Sequence, residues 1–249
     1  MTDKLFEARL SDMTDRCERS GAAVFSNFLD ERQCAEAEQW CPRNTGDLKY
    51  MFFGGYPDAK RRMLSFFPDY CEACIVEEFP IKCLTFTFRR EDRLTHRDFL
   101  GTFMGMRLKR EIIGDIIISE GIAQAFVTDI AARLILSTVS KIGKIGVKVS
   151  DDCPFQIEIK QEFQEISGTV ASLRLDCVIG LAAKLSRENA AKLIRAEKVD
   201  VNHLTAVSVS QTVNKGDILS VRGSGRFVLA GIDGETKKGR IHISLRKYI

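Results

Sequence analysis

The residues that could do chemistry cluster late in the chain: Arg174, Ser186, Arg187, Lys192, Arg195, Lys198, Asn202, Arg222 and Arg226 form a predominantly basic set able to attract anions. Ser186 precedes a run with helical spacing and is placed to cap it. Within that run Arg187, Ala191 and Arg195 recur at i, i+4 and i+8 with Lys192 beside them, so they share one helix face. A row of cations on a helix face is in most proteins a solvated surface, but it can also attract a polyanion. The charge distribution agrees. Gly168 to Ile249 holds 14 Lys and Arg against 7 Asp and Glu, net +7, whereas the upstream part holds 23 against 27, net −4. The basic surface is therefore local and C-terminal.

Other candidates are weaker. Cys71-x-x-Cys74 has the spacing of half a zinc site, but only Cys83 follows closely, and His96, His203 and His242 are dispersed. Neither a metal site nor a Ser/His/Asp constellation is legible, and no metal or other cofactor is expected. The eight cysteines are scattered and are expected to be reduced and mostly buried. Gly54-Gly55-Tyr56-Pro57 reads as a turn, after which Asp58 could cap a helix carrying Lys60, Arg61 and Arg62 whose N-terminus could meet a phosphate. A second basic cluster, Arg89, Arg97, Arg107 and Arg110 with Arg90, Arg93 and Lys109, offers a second RNA grip.

The elements that must position these groups fall into an α+β chain of three small domains. With 45% hydrophobic and 29% charged residues, the composition is that of a folded chain and excludes wholesale disorder. No apolar leader and no run of about 18 apolar residues occurs, so a cytoplasmic protein without a membrane partner, monomeric when free, is expected. Residues 1–72 read as an α/β domain: a helix with Leu5, Ala8, Leu10 and Met13 at helical spacing and stopped by Gly21, a helix from Asp30 to Trp40 ending near Pro42, and a strand from Lys49 to Phe53. Residues 73–152 read as βαββαβ, with strands 81–88, 114–118, 122–128 and 145–149 and helices 96–106 and 130–139, the second capped by Asp129. That order suits a ferredoxin-like sandwich, the plan also used by sheets that stack RNA bases. Phe86, Phe88 and Phe126 lie on its strands, although core positions are the expectation for them. Residues 153–167, where Phe155, Ile157 and Ile159 alternate with polar residues, read as a bridging strand. Residues 168–249 read as helices 173–185 and 186–196 packed on a small sheet, with strands 199–201, 218–222 and 227–230 and a turn at Asn202-His203.

This last segment resembles the alpha-L RNA-binding motif, the S-four domain, in Arg174-Leu175-Asp176, Ser186-Arg187, Leu193-Ile194, Val199-Asp200-Val201-Asn202, Gly216-Asp217 and Val221-Arg222-Gly223. The resemblance implies phosphate-facing roles for Arg174, Arg187, Lys192, Arg195, Lys198 and Arg222. Glu197 departs from it, standing where the motif usually has a helix-ending glycine, and would strain the backbone there if φ is positive.

Nearly the whole chain is similar to the YlmH family of bacterial RNA-binding proteins, through Phe53-Gly54-Gly55-Tyr56, His96-Arg97-Asp98-Phe99-Leu100-Gly101, Gly114-Asp115-Ile116 and Ser172-Leu173-Arg174-Leu175-Asp176. Membership implies binding to rRNA of the large ribosomal subunit with tRNA or peptidyl-tRNA, a role in ribosome-associated quality control of stalled nascent chains, and a link to cell division. Arg174-Leu175-Asp176 also resembles the catalytic triplet of pseudouridine synthases, which makes an RNA-modifying enzyme the alternative. Its place at the head of a helix, where Asp176 can neutralise basic neighbours, favours a non-catalytic binder.

Overall fold

In a computed structural model, which describes residues 4–151, 157, 162–237 and 239–249, helix α1 (Lys4–Ser20) buries Phe6, Leu10, Thr14 and Cys17 as one stripe. Leu5 and Ala8 of the expected stripe are exposed, and Gly21, at φ 64°, ends the helix. After β1 (Val24–Phe25), helix α2 (Glu31–Asn44) starts at a capping box. The Asp30 carboxylate accepts from Gln33 N–H at 2.8 Å, and the Gln33 side chain accepts from Asp30 N–H at 3.0 Å. Pro42 lies inside its last turn rather than ending it. Strands β2 (Lys49–Phe53) and β3 (Met63–Phe67) complete an antiparallel sheet of order β1-β3-β2.

The helix expected after Asp58 does not form. Arg62 bridges to Leu29, and the backbone N–H groups of Lys60 and Arg61 donate to the Asp115 carboxylate at 2.7 and 3.2 Å. With those donors engaged elsewhere, no helix N-terminus faces a phosphate here.

After α3 (Ile75–Glu78) come β4 (Ile81–Thr87), α4 (His96–Gly105), β5 (Ile113–Ser119), β6 (Ile122–Thr128) and α5 (Asp129–Thr138). A small hairpin of β7 (Lys141–Ile142) and β8 (Ile145–Gly146) precedes β9 (Lys148–Ser150). The strand expected at 145–149 is thus split between two sheets, and Thr128, whose hydroxyl accepts from Ala131 N–H at 3.4 Å, caps α5 in place of Asp129. The sheet order β5-β6-β4-β9, antiparallel throughout, is the ferredoxin-like order of a βαββαβ chain. Period-two alternation divides its side chains. Leu84, Phe86, Ala123, Ala125 and Val127 join Phe99, Phe103 and Ile135 of α4 and α5 in one core. On the opposite face Ile81, Cys83, Ile117 and Phe126 pack with Phe28, Tyr56, Met63, Phe67, Ile75 and Phe79 in a second.

The expected boundary at 72/73 therefore lies inside one compact unit, Met1–Ile159, because that second cluster draws residues from both sides of it. Of the expected bridging strand, Phe155 and Ile159 lie outside the described residues; the N–H of Ile157 donates to Gln124 at 3.3 Å.

The second unit, Lys160–Ile249, begins with β10 (Phe163–Val170), followed by α6 (Leu175–Ala182), α7 (Arg187–Arg195), β11 (Val199–Val201), β12 (Leu204–Thr205), β13 (Ile218–Val221), β14 (Gly225–Glu235) and β15 (Ile241–Tyr248). Its antiparallel sheet has the order β10-β15-β14-β13-β11-β12. Val178, Ile179 and Ala182 of α6 and Ala190 and Ile194 of α7 close a core with Leu219, Phe227, Leu229, Ile243 and Leu245. Helix α6 is shorter than the expected 173–185, since Lys184 takes φ 56° and ends it.

Candidate nucleic-acid interface

The head of α6 and the start of α7 meet at Asp176. This carboxylate is 3% exposed and accepts from Arg187 Nε at 2.7 Å, Arg174 Nε at 3.2 Å and its neighbour Cys177 N–H at 3.0 Å. Burial alone would raise its pKa, but the bonds from Arg187 and Arg174 outweigh burial and hold it below the ordinary value of 3.8. Each guanidinium has one edge pinned while its side chain stays 41% (Arg174) or 59% (Arg187) exposed. Asp176 therefore fixes two arginines in place with outward edges free.

Ser186 caps α7 as expected, its hydroxyl accepting from Asn189 N–H at 3.2 Å. Lys192 and Arg195 are exposed along the helix, Lys192 in an i, i+4 pair with Glu188 at 2.8 Å. Ala191, between the arginines in the expected stripe, is buried, so that stripe runs along the border of the core. The helix closes in a Schellman turn, with Lys198 N–H donating to Leu193 O and Glu197 N–H to Ile194 O, both at 3.0 Å. Glu197 sits at φ 54°, the strained conformation anticipated for it. Just beyond, Arg222 N–H donates to Lys198 O at 2.9 Å, bringing the two exposed cations together at one end of the sheet.

Two of the expected residues lie apart from this group. Asn202 stands at the far end of β11 from Lys198, where its side chain donates to Asp217 and accepts from Ile218 N–H, both at 2.9 Å, bracing a turn at φ 49°. Arg226 projects from the sheet face opposite the helices, its guanidinium 5.9 Å from the Tyr248 ring centre.

The second expected cluster divides. Arg89 and Arg97 are exposed. Arg107, also exposed, is the left-handed residue (φ 63°) ending α4. Arg110 is turned inward, donating to Ile113 O at 2.6 Å and Gly114 O at 3.2 Å, and burial with the nearby charge of Arg61 lowers its pKa to about 10. Its charge serves the fold rather than a phosphate. The sheet face that could stack bases is likewise occupied: Phe126 stacks on Tyr56 at 5.0 Å, and Phe86 packs edge-on against Phe99 at 5.2 Å in the opposite core.

Asp115 organises this closure. A bulge between Ile113 and Ile116 re-aims it, and it accepts from Tyr56 Oη at 2.8 Å besides the two N–H groups of the 60–61 turn. A Cβ on Gly55 would fall 2.2 Å from the Phe126 ring, and one on Gly114 2.7 Å from Phe28. The Gly-Gly-Tyr and Gly-Asp motifs are thus two halves of one structural lock. Arg61, expected on a basic helix, instead bonds Phe28 O and Ile113 O at 3.1 and 3.0 Å within it. No motif pointed to the aromatic pair Phe163 and Tyr248, which is signalled only by strand alternation next to Arg246.

Cys71 and Cys74 are free thiols, and among the described residues no group of three or more His, Cys, Asp or Glu is placed to hold a metal ion. Among the described residues, no helix is long and apolar enough to cross a membrane.

The fold and these surfaces define an α+β protein whose residues 76–156 match the family described as "Putative RNA-binding domain in YlmH". Over 226 residues it is 32% identical to "Ribosome-associated protein quality control protein P2" of Bacillus subtilis (strain 168), covering 89% of this chain and 86% of that protein. The chain belongs to the YlmH family. The solved structure "Cell division protein ylmH from Streptococcus pneumoniae" is similar in fold at a TM-score of 0.52 and 22% identity, covering 61% of this chain and 91% of that one.

Proposed function

We propose that the C-terminal unit is an S-four-type RNA-binding domain. In this reading the protein, without catalysing a reaction, grips structured rRNA of the large ribosomal subunit together with tRNA or peptidyl-tRNA in the quality control of stalled nascent chains. The observation that carries this reading is the clip at Asp176, which holds Arg174 and Arg187 with free edges outward beside exposed Lys192, Arg195, Lys198 and Arg222. Guanidinium groups held in this way lose little freedom on meeting a phosphate. The quality-control name of the Bacillus relative supports the ribosomal setting, and the cell-division name of the Streptococcus protein supports a link to that process.

A synthase-like reaction fares worse. A nucleophilic aspartate must face a base, whereas both Asp176 oxygens already accept N–H donors in a site 3% exposed.

Arg195→Glu with Lys198→Glu tests the grip. Both side chains are exposed, so stability should change by only about 0.5 kcal/mol. Co-sedimentation with large ribosomal subunits is expected to disappear. Arg187 is a poorer choice, because a glutamate there would face buried Asp176. Undiminished co-sedimentation of the folded variant would refute the assignment.

A further inference from the structure

The face of the C-terminal sheet turned away from α6 and α7 carries an aromatic pair that the grip does not use. Strand alternation places Phe163, Tyr248, Arg246, Arg226 and Ser220 on this face, opposite the core positions Leu219, Leu229, Ile243 and Leu245. None of the five is buried, and Phe163 is 37% exposed. Register sets Phe163 directly across from Tyr248, with the rings edge to face at 5.0 Å. Arg246 lies 5.8 Å from the Phe163 ring centre and Arg226 5.9 Å from that of Tyr248. The core beneath is complete without these rings.

Their location matters. Phe163 begins β10, Tyr248 ends β15 and Arg226 follows the start of β14, so all three lie at the end of the sheet that also holds the β13–β14 turn and the start of β11. Arg222 and Lys198 stand there, and among the described residues neither side chain has an ion-pair partner. The carboxylate next to the rings, Glu165, is paired with Arg246 at 2.8 Å, and Asp200 lies three strands from Tyr248.

We propose that this end of the outer face is a stacking platform for unpaired bases of the RNA held by the helix side, an inference that rests on the RNA-binding reading above. Flat apolar rings flanked by guanidinium groups and continuous with two free cations complement a polyanion that carries flat apolar groups. The arginine–ring distances are at the long end of the cation–π range. Phe163, 37% exposed, therefore has ring area open to a base, while Arg246 keeps its pair with Glu165. Ring stacking accepts any base, so the platform distinguishes unpaired from paired RNA rather than one sequence from another.

The test uses the full chain with two RNA hairpins, one blunt and one carrying an unpaired 3′ adenosine tail, and reads affinity by fluorescence anisotropy. The wild-type chain is expected to bind the tailed hairpin about 5- to 150-fold more tightly, the range of one stacked base. Phe163→Leu with Tyr248→Leu keeps the blunt-hairpin affinity and loses that preference, Tyr248→Phe retains it, and Arg195→Glu with Lys198→Glu weakens both hairpins. Fluorescence of 2-aminopurine in the tail, quenched on binding, supports the platform in the wild-type chain even if the leucine pair disturbs the sheet. Indifference to the tail, an unquenched tail, or a preference that survives in the folded leucine variant overturns the platform and leaves the helix-side grip standing. Wild-type binding to neither hairpin removes the RNA-binding reading and the platform with it.

Discussion

The middle sheet and the C-terminal sheet are both antiparallel, and each has two helices on one face, yet their second faces are opposites. In the middle sheet Phe126 lies 1% exposed under Tyr56, and Arg110, near its bulged edge, donates to the backbone carbonyls of Ile113 and Gly114. In the C-terminal sheet Phe163 is 37% exposed and Tyr248 half-buried, and their arginines stand beside the rings. A strand aromatic thus says little about base stacking until it is known what covers it. The segment whose family description mentions RNA has its sheet face closed, and the open face lies in the other unit. Arg89, Arg97 and Arg107 leave the first unit with exposed cations, but its sheet faces offer no stacking surface.

The largest expected effect comes from forcing the covered face apart. Gly55 combines φ +98° with a Cβ position 2.2 Å from Phe126. Gly55→Val places a β-branched residue in the left-handed region and overpacks the lock, at a cost of about 3–5 kcal/mol. Urea unfolding should show a lower midpoint. An unchanged midpoint would mean that the Gly-Gly-Tyr turn does not hold the face closed, and the contrast between the two sheets would lose its physical basis.

A smaller effect is expected at the clip that prepares the open unit. Asp176→Asn removes the charge that Arg174 and Arg187 share, and should cost about 1–3 kcal/mol at neutral pH. Because the folded pKa of Asp176 lies below 3.8, its contribution is complete above that value and fades as pH falls through the folded pKa. The loss in the variant should therefore be constant above about pH 4 and shrink in more acidic solution. Unfolding curves collected between pH 2 and 7 would reveal it, and a loss that does not shrink in acid would rule out the charge as its source. Pseudouridine in rRNA and tRNA, mapped at single-nucleotide resolution in a strain carrying the Asn version, should be unchanged.

Local signals explain what was legible beforehand. The helix start at Asp30, the Ser186 cap, the βαββαβ order and the turn at Asn202-His203 each depend on neighbours a few residues away, and each stands in the structure. The helix after Asp58 failed because its donors meet Asp115, 55 residues downstream of Lys60. The covering of Phe126 by Tyr56 is a contact of the same long-range kind. Arg110 carries no local mark that separates it from exposed Arg97; only the carbonyls of the bulged strand turn it inward. Strand β15 is absent from the expected elements, although Ile241, Ile243 and Leu245 alternate along it; its pairing with β10 puts residues 163–167 of the expected bridge into an edge strand of the sheet.

The smallest effect concerns how the helices beside the two sheets end. Helices α4, α6 and α7 each close with a charged residue in the left-handed conformation, Arg107 at φ 63°, Lys184 at 56° and Glu197 at 54°. In each case the following N–H reaches back to a carbonyl of the last turn, Phe103, Gly180 and Leu193 respectively. Only glycine adopts this geometry without a Cβ penalty. At Arg107 and Lys184 the strain keeps a cation on the surface, an advantage if that surface meets RNA, whereas Glu197 brings the opposite charge beside Lys198. Glu197→Gly should therefore relieve strain and remove a charge that opposes the grip. Part of the strain relief is offset by the greater freedom of glycine in the unfolded chain, leaving a gain of about 0.5–1 kcal/mol. The urea midpoint is expected to rise with an unchanged slope, and the blunt hairpin to bind slightly more tightly. Lys184→Gly should stabilise by a similar amount without tightening the hairpin. Equal tightening in both variants would show that backbone relaxation rather than the carboxylate sets the affinity, and would remove Glu197 from the electrostatics of the open unit.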